Sequence, residues 1–283
     1  MRQIHFEWPA TRLYALWRLL TGQRVPRQSS RVWWWAEVRV RRTMERALAD
    51  YLDLCERCDE LGFQATQAIT SNGLDVTVYH AHSSLIARTL TDLRATAQLA
   101  VSGYTMQSWS VAASCFEAAH SIGFIGNDRV RAKRWMEHAA LDCAPWNAKD
   151  AVQNAIIFLA LEADAKRRQA LVDREYAVYE TLCIAKHVNP VAEKYRYIYL
   201  REKSQVLRFS PVATQRRIRE AKKGLIAAIR CTTTAIWALL HAHHRENEQL
   251  RQMLLEVMTT TDALVQELLP VSGAAGELEL TGA

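Results

Sequence analysis

A chain of 283 residues, 49% apolar with a net charge of +6, carries enough apolar surface for a large core, and ten Gly and six Pro are too few breakers for a many-turned β protein. No run of about 18 apolar residues occurs, which predicts no membrane-spanning helix, and no N-terminal apolar stretch ends in a small-residue cleavage site. Six cysteines at 55, 58, 115, 143, 183 and 231 show no spaced framework, which fits thiols in a reducing cytoplasm. Cys55-x-x-Cys58 is followed by His80 and His82 at a spacing wrong for a zinc finger.

The charge is unevenly placed. Residues 1–46 hold ten Arg against three Glu, and residues 193–223 hold ten Lys or Arg against three Glu, so the remainder of the chain is acidic. Aromatic residues stand within both blocks: Trp33, Trp34 and Trp35 in the first, Tyr195, Tyr197, Tyr199 and Phe209 in the second. Cations displace counterions from a polyanion and rings stack on bases, so the pattern points to nucleic acid, RNA above all, or to an acidic protein. Arg31, Arg39, Arg41, Arg42, Arg196, Arg201, Lys203, Arg216, Arg217 and Lys222 are the candidate contacts. Three successive Trp sweep about 200° of a helix, so they do not share a face, and burial competes with stacking for each of them.

In chain order, residues 1–28 form a basic amphipathic segment, with Leu13, Leu16, Trp17 and Leu20 on one face after Pro9. It reads as a first helix packed on the body, with a membrane-surface or targeting helix as the competing reading. Ser30 caps a helix to about Leu61 that Gly62 closes, and 71–73 is a turn. Val76 to Tyr79 reads as a short extended piece; helices follow from Ser83 or Ser84 to Val101 and from Thr105 to Ser121. Asp128 caps a helix over 129–142, and Asn147 with Asp150 makes a capping box for a helix to about Lys186. Asn189-Pro190 and Ser210-Pro211 frame a helix over 190–209 and open a last one reaching Pro270, about 85 Å if unbroken. The fold class is therefore all-α: a helical bundle over 29–209, a very long heptad-patterned helix over 210–270 and a polar tail over 271–283. Ile229, Ile236, His243, Leu250, Val257 and Leu264 recur every seven residues, with Leu225, Leu239 and Met253 as companions and a polar interruption at His243 and Glu246. Such a seam over 225–264 serves either a homo-oligomer or the protein's own bundle.

Three constellations carry chemistry. Arg131, Arg134 and His138 recur at 0, 3 and 7 on one helix face, the means for metal-free RNA cleavage: imidazole for proton transfer, guanidinium for the scissile phosphate. A solvated basic face is the plainer reading of the same spacing. His241, His244 and Glu248 repeat that spacing and form a weak metal site lacking a further ligand; no cofactor is otherwise implied. Arg131 and His138 match the R-x4-6-H pattern of HEPN ribonucleases. Residues 84–187 resemble a group of all-helical bacterial HEPN-like proteins, through Ala113-Ser-Cys-Phe-Glu117 and Tyr179-Glu-Thr-Leu-Cys-Ile-Ala-Lys-His187. The resemblance implies an endoribonuclease of defence or toxin type with Glu117 and His187 at its site, although Ala113 replaces the Arg common four residues before the Glu. His187 also suits a helix C-terminus, where imidazolium complements the dipole. No phosphate-binding, dinucleotide, nucleophile-elbow or zincin motif occurs. The reading favoured by charge is a non-catalytic binding or scaffold protein for a polyanion, with the endoribonuclease as its alternative.

Overall fold

The structure, a computed structural model, describes residues 29–69, 75–138, 145–160, 163–186, 197–200, 204–207, 213–243 and 248–268, with side chains from Glu37 onward and none in the two strands. Residues 1–28, 271–283, His187, Arg196, Arg201, Lys203 and His244, and the side chain of Arg31, lie outside the described residues. Among the described residues the fold is all-α: α1 Ser29–Ala47, α2 Ala49–Ala68, α3 Val76–Val101, α4 Thr105–Ile125, α5 Arg129–Glu137, α6 Ala148–Leu159, α7 Ala165–Lys186, α8 Gln215–Ala242 and α9 Glu248–Leu268. A two-stranded hairpin, β1 Tyr197–Leu200 and β2 Ser204–Leu207, lies between α7 and α8.

Helix α4 is the axis of the bundle. Glu117 is its one charged residue, Ala, Ser and Gly recur on every side, and fourteen of its residues are buried. A helix apolar all round belongs inside, and α3, α6, α7 and α8 surround this one. Small side chains permit close approach: a Cβ on Gly123 would meet the Ala155 Cβ of α6 at 2.7 Å. Helix α8 supplies the second inner wall through Leu225, Ile229, Ile236 and Leu239, all essentially fully buried. Each such side chain contributes roughly 1.5–3 kcal/mol. By length and composition α8 is also apolar enough to cross a membrane, but 78% of its apolar window is buried inside the protein.

Several boundaries differ from expectation. The helix expected over 30–61 is two, because the chain turns at Leu48 (φ −114°, ψ 8°). That turn keeps Met44, Leu48 and Tyr51 together in the core. Gly62 does not end α2; it lies inside it, where any Cβ would run into the Leu90 side chain of α3. Val76 to Tyr79 is the first turn of α3 rather than an extended piece, since Asp75 accepts hydrogen bonds from the N–H of Thr77 (2.8 Å) and Val78 (3.4 Å). Asp128 and Asn147 cap α5 and α6 as expected, accepting from Val130 and Asp150 at 2.8 Å each. Helix α5 stops at Glu137, and the helix expected to run from 148 to Lys186 breaks after Leu159 and restarts where Asp164 accepts from Arg167 N–H at 2.7 Å.

The helix expected over 190–209 contains instead the antiparallel hairpin, Tyr197 facing Leu207 and Leu200 facing Ser204. Tyr197 stands opposite Leu207 and Ile198 opposite Val206, and aromatic and β-branched residues of this kind favour a strand. Among the described residues there is no very long C-terminal helix; the longest, α8, has 28 residues. Helix α8 begins after Thr214, whose hydroxyl accepts from Arg217 N–H, and ends at Ala242. After His243 the chain resumes as α9, which packs on α8 and α2. Unbroken, the helix would carry the second half of the seam away from the bundle; broken, it buries Leu250, Leu254, Val257 and Leu264. The heptad pattern thus serves the protein's own core.

Candidate functional site: a charged, aromatic cavity and a basic end

The first feature is a cavity of about 440 Å³ among α3, α4, α5, α6 and α7. Its floor is apolar and buried, with Phe116, Ala118 and Ala151. The half-buried rings of Trp135, Trp146 and Tyr179 stand around it, and Arg88, Glu117, His138 and Lys186 bring charge and proton-transfer capacity to its mouth. Tyr179 stacks on Phe116 (centroids 5.1 Å apart), and Trp146 packs on Phe124 at 4.4 Å.

Glu117 organises the polar part. It projects from the central helix, and its Oε1 accepts both from the Tyr179 hydroxyl (2.6 Å) and from the Lys186 ammonium (2.6 Å). Tyr179 and Lys186 are seven residues apart, two turns of α7, so one face of that helix delivers both. Burial, reinforced by the Glu117 carboxylate, drives the Tyr179 hydroxyl pKa up and keeps it a donor. Arg88 of α3 donates to Ser114 Oγ at 2.8 Å and pairs with Asp92 at 3.6 Å. Position 113, where the family pattern has an Arg, is a fully buried Ala. Cations reach the cavity from α3 and α7 instead.

Two imidazoles complete the wall. His138 follows α5, and its Nδ1 donates to the Trp135 carbonyl, which leaves Nε2 outside that bond. His120 is buried, stacks on Phe116 at 3.9 Å and donates from Nδ1 to the Phe116 carbonyl (3.0 Å). Burial lowers its pKa, which favours the neutral ring with an acceptor Nε2.

The structure divides the residues expected from sequence. Glu117 and His138 line one cavity. Arg131 does not join them: it donates to the Phe124 carbonyl (2.6 Å) and Asn154 (3.3 Å), pairs with Asp128 (3.3 Å) and lies over the Phe124 ring. Arg134 is not among the lining residues. The spacing of 0, 3 and 7 therefore does not assemble an Arg–Arg–His site, because the contacts of Arg131 point it at α4 and α6. Sequence reading missed Arg88, His120, Trp135 and Trp146 as cavity residues. Tyr179 and Lys186 were visible only as members of the 179–187 motif, whose His187 drew attention.

The weak metal site is not formed on one helix face. His241 is exposed at the end of α8 against Phe158 (4.8 Å), and Glu248 opens α9 beyond the break, beside Arg251 at 3.8 Å. Among the described residues no group of three His, Cys, Asp or Glu is placed to hold a metal. Cys55 and Cys58 are core thiols; burial pushes Cys58 up to about 12 and Cys55 higher than its ordinary value.

The second feature is the bundle end at the α3–α4 turn. The Tyr104 hydroxyl in that turn donates to Glu37 of α1, and Arg41 of α1 reaches Gln98 at 3.3 Å. Burial and Glu37 raise Tyr104 to about 12. On the adjoining side, Trp109 donates its indole N–H to the Glu220 carbonyl of α8 at 2.7 Å, and Gly224 admits the same ring. Lys222 lies over the Tyr51 ring at 5.0 Å, just past the α1–α2 joint. Helix α1 and the first turns of α8 thus both reach the elements that meet near the α3–α4 turn. Arg39, Arg41, Arg42 and Arg216 are exposed there, Arg217 and Lys222 half-buried. Arg41 also pairs with Glu45 at 2.7 Å, and Lys223 with Glu220 at 3.0 Å.

No family model, curated protein or solved structure matches the chain.

Proposed function

We propose that this protein is a helical nucleic-acid-binding protein, non-catalytic in its main role, which grips a polyanion, RNA in the first instance, through the end of the bundle at the α3–α4 turn. The observation that carries the reading is the convergence there of α1 and the start of α8, whose first ten residues hold five basic side chains against Glu220. Phosphates repay several cations on one surface through counterion release, while cations on opposite faces do not add. A reducing cytoplasm suits the five free thiols among the described residues. The test is a binding titration of the full chain with single-stranded RNA at rising salt. Affinity falling by orders of magnitude between about 50 and 200 mM, and lost in Arg39→Gln/Arg42→Gln/Arg216→Gln, supports the reading. Tight binding indifferent to salt or to those substitutions refutes it.

A second reading, metal-independent endoribonuclease, is favoured by one observation: Glu117 and His138 line the same cavity as Lys186 and Arg88. His138 Nε2 is then the proton acceptor, and Lys186 and Arg88 take the part first assigned to Arg131 and Arg134. RNA incubated with the protein in EDTA decides it: cleavage that His138→Ala abolishes and Arg131→Gln leaves intact is the expected signature, and absence of cleavage removes the reading.

A further inference from the structure

The chemistry of the cavity defines a ligand. Its inner surface is aromatic and flat-sided, from Phe116, Trp135, Trp146 and Tyr179, which suits a planar ring. Its polar atoms are sorted by kind. The Nδ1 protons of His120 and His138 are committed to carbonyls, and in the buried His120, whose pKa burial lowers, Nε2 offers a lone pair. Both donors to Glu117 land on Oε1, and its Oε2 takes part in neither bond. A wall with two acceptors, His120 Nε2 and Glu117 Oε2, calls for a ring with N–H donors. At the mouth stand the two cations Lys186, which meets Glu117, and Arg88, which lies 3.6 Å from Asp92 and whose side chain is 63% exposed. Cations at the opening above an acceptor-lined interior orient a ligand with its anionic group outward. The volume of about 440 Å³ lies within the range of small-molecule sites.

We infer that the cavity binds a planar aromatic anion carrying N–H donors, its ring between Trp146 and Tyr179 and its anionic group on Lys186 and Arg88. An amino-bearing nucleobase monophosphate and a nitrogen-heteroaromatic carboxylate share this chemistry. The site is separate from the basic end and requires no cleavage, so it stands or falls apart from both readings above.

The experiment is isothermal titration of the full chain with AMP, CMP, UMP, adenosine, indole-3-acetate and inorganic phosphate. AMP and CMP, whose amino groups each offer two N–H donors to the two acceptors, are expected to bind more tightly than UMP, whose base offers one, and than adenosine, which lacks the anion. If indole-3-acetate binds instead of the nucleotides, the ligand is the carboxylate and the site is upheld. Lys186→Met is expected to weaken the bound anion about ten-fold and adenosine, which brings no anion to it, by less. Tyr179→Phe, which removes one hydroxyl, is the second variant and is expected to weaken binding through the freed Glu117. On the unaltered chain, ligand addition should shift the imidazole NMR signals of His120 and His138. Arg39→Gln/Arg42→Gln should leave AMP binding intact even where it abolishes RNA binding. Failure of all the aromatic anions to bind at millimolar concentration overturns the inference. So does binding of inorganic phosphate as tight as that of AMP, or aromatic-anion binding that shifts neither imidazole.

Discussion

His82 and His243 are the buried pair on which the joint between α8 and α9 turns. His82 Nδ1 lies 3.0 Å from His243 Nε2, the rings meet edge to face at 5.2 Å, and both residues are buried. Burial, with the neighbouring His243, brings the His82 pKa down to about 3. Its unfolded value is near 6.5, so below that pH the unfolded chain binds a proton that the folded one refuses. Stability is therefore full above about pH 6.5 and falls as pH drops towards 3, by up to about 1.4 kcal/mol per pH unit. His120, also lowered by burial, adds to the slope. Denaturant titrations between pH 7 and 4 should show the loss, and NMR should find His82 silent until the protein unfolds. A His82 imidazole titrating near 6.5 in the folded protein would contradict the assignment. The sequence displayed His243 as a polar interruption of a seam, which was right about polarity. Its partner stands 161 positions earlier in the chain, and periodicity along one helix carries no such information.

At the scale of the element, the caps were legible and the breaks were not. Asp128 and Asn147 announce α5 and α6 because a cap is local chemistry, a side-chain oxygen meeting an N–H two or three residues on. Leu48, Ala160 and His243 interrupt helices without any Gly or Pro, since each bend is repaid by what it buries, and packing partners lie elsewhere in the chain. The hairpin was masked by the capping signals at Asn189-Pro190 and Ser210-Pro211, which outweighed its own β-forming residues. The candidate site divides in the same way. Glu117 and His138 were readable one by one, but Arg88, Tyr179 and Lys186 join them only because α3 and α7 flank α4. The α5 cap makes a test at this scale. Asp128→Ala frees the N–H groups of Val130 and Arg131 and removes a partner of Arg131, costing about 1 kcal/mol. Because α5 carries Trp135 and His138 to the cavity, a thermal melt should show a small loss while ligand or RNA-cleavage assays at the cavity lose disproportionately. An equal loss across α5-independent measurements would place the effect in global stability alone.

The whole molecule adds a constraint that neither residues nor elements supply: two segments about 180 positions apart in the chain serve one end of the bundle. Trp109 ties α8 to the turn at that end and Glu37 ties α1 to it, so the cations of both helices are held in fixed relation by the core rather than by each other. On the proposed reading, a polyanion long enough to cover the end would contact both sets, each phosphate contact contributing roughly 0.7–0.9 to the slope of log affinity against log salt. Neutralising Arg39 and Arg42 should lower that slope, neutralising Arg216 and Lys222 should lower it by a similar amount, and combining the four should lower it by the sum. A short oligonucleotide that spans only one segment should respond to one pair and ignore the other. If instead either pair alone removes the whole slope, the ligand occupies a single helix and the two basic blocks are independent solvated faces. Fluorescence anisotropy at four salt concentrations, with oligonucleotides of about 4 and 16 residues, separates the two outcomes.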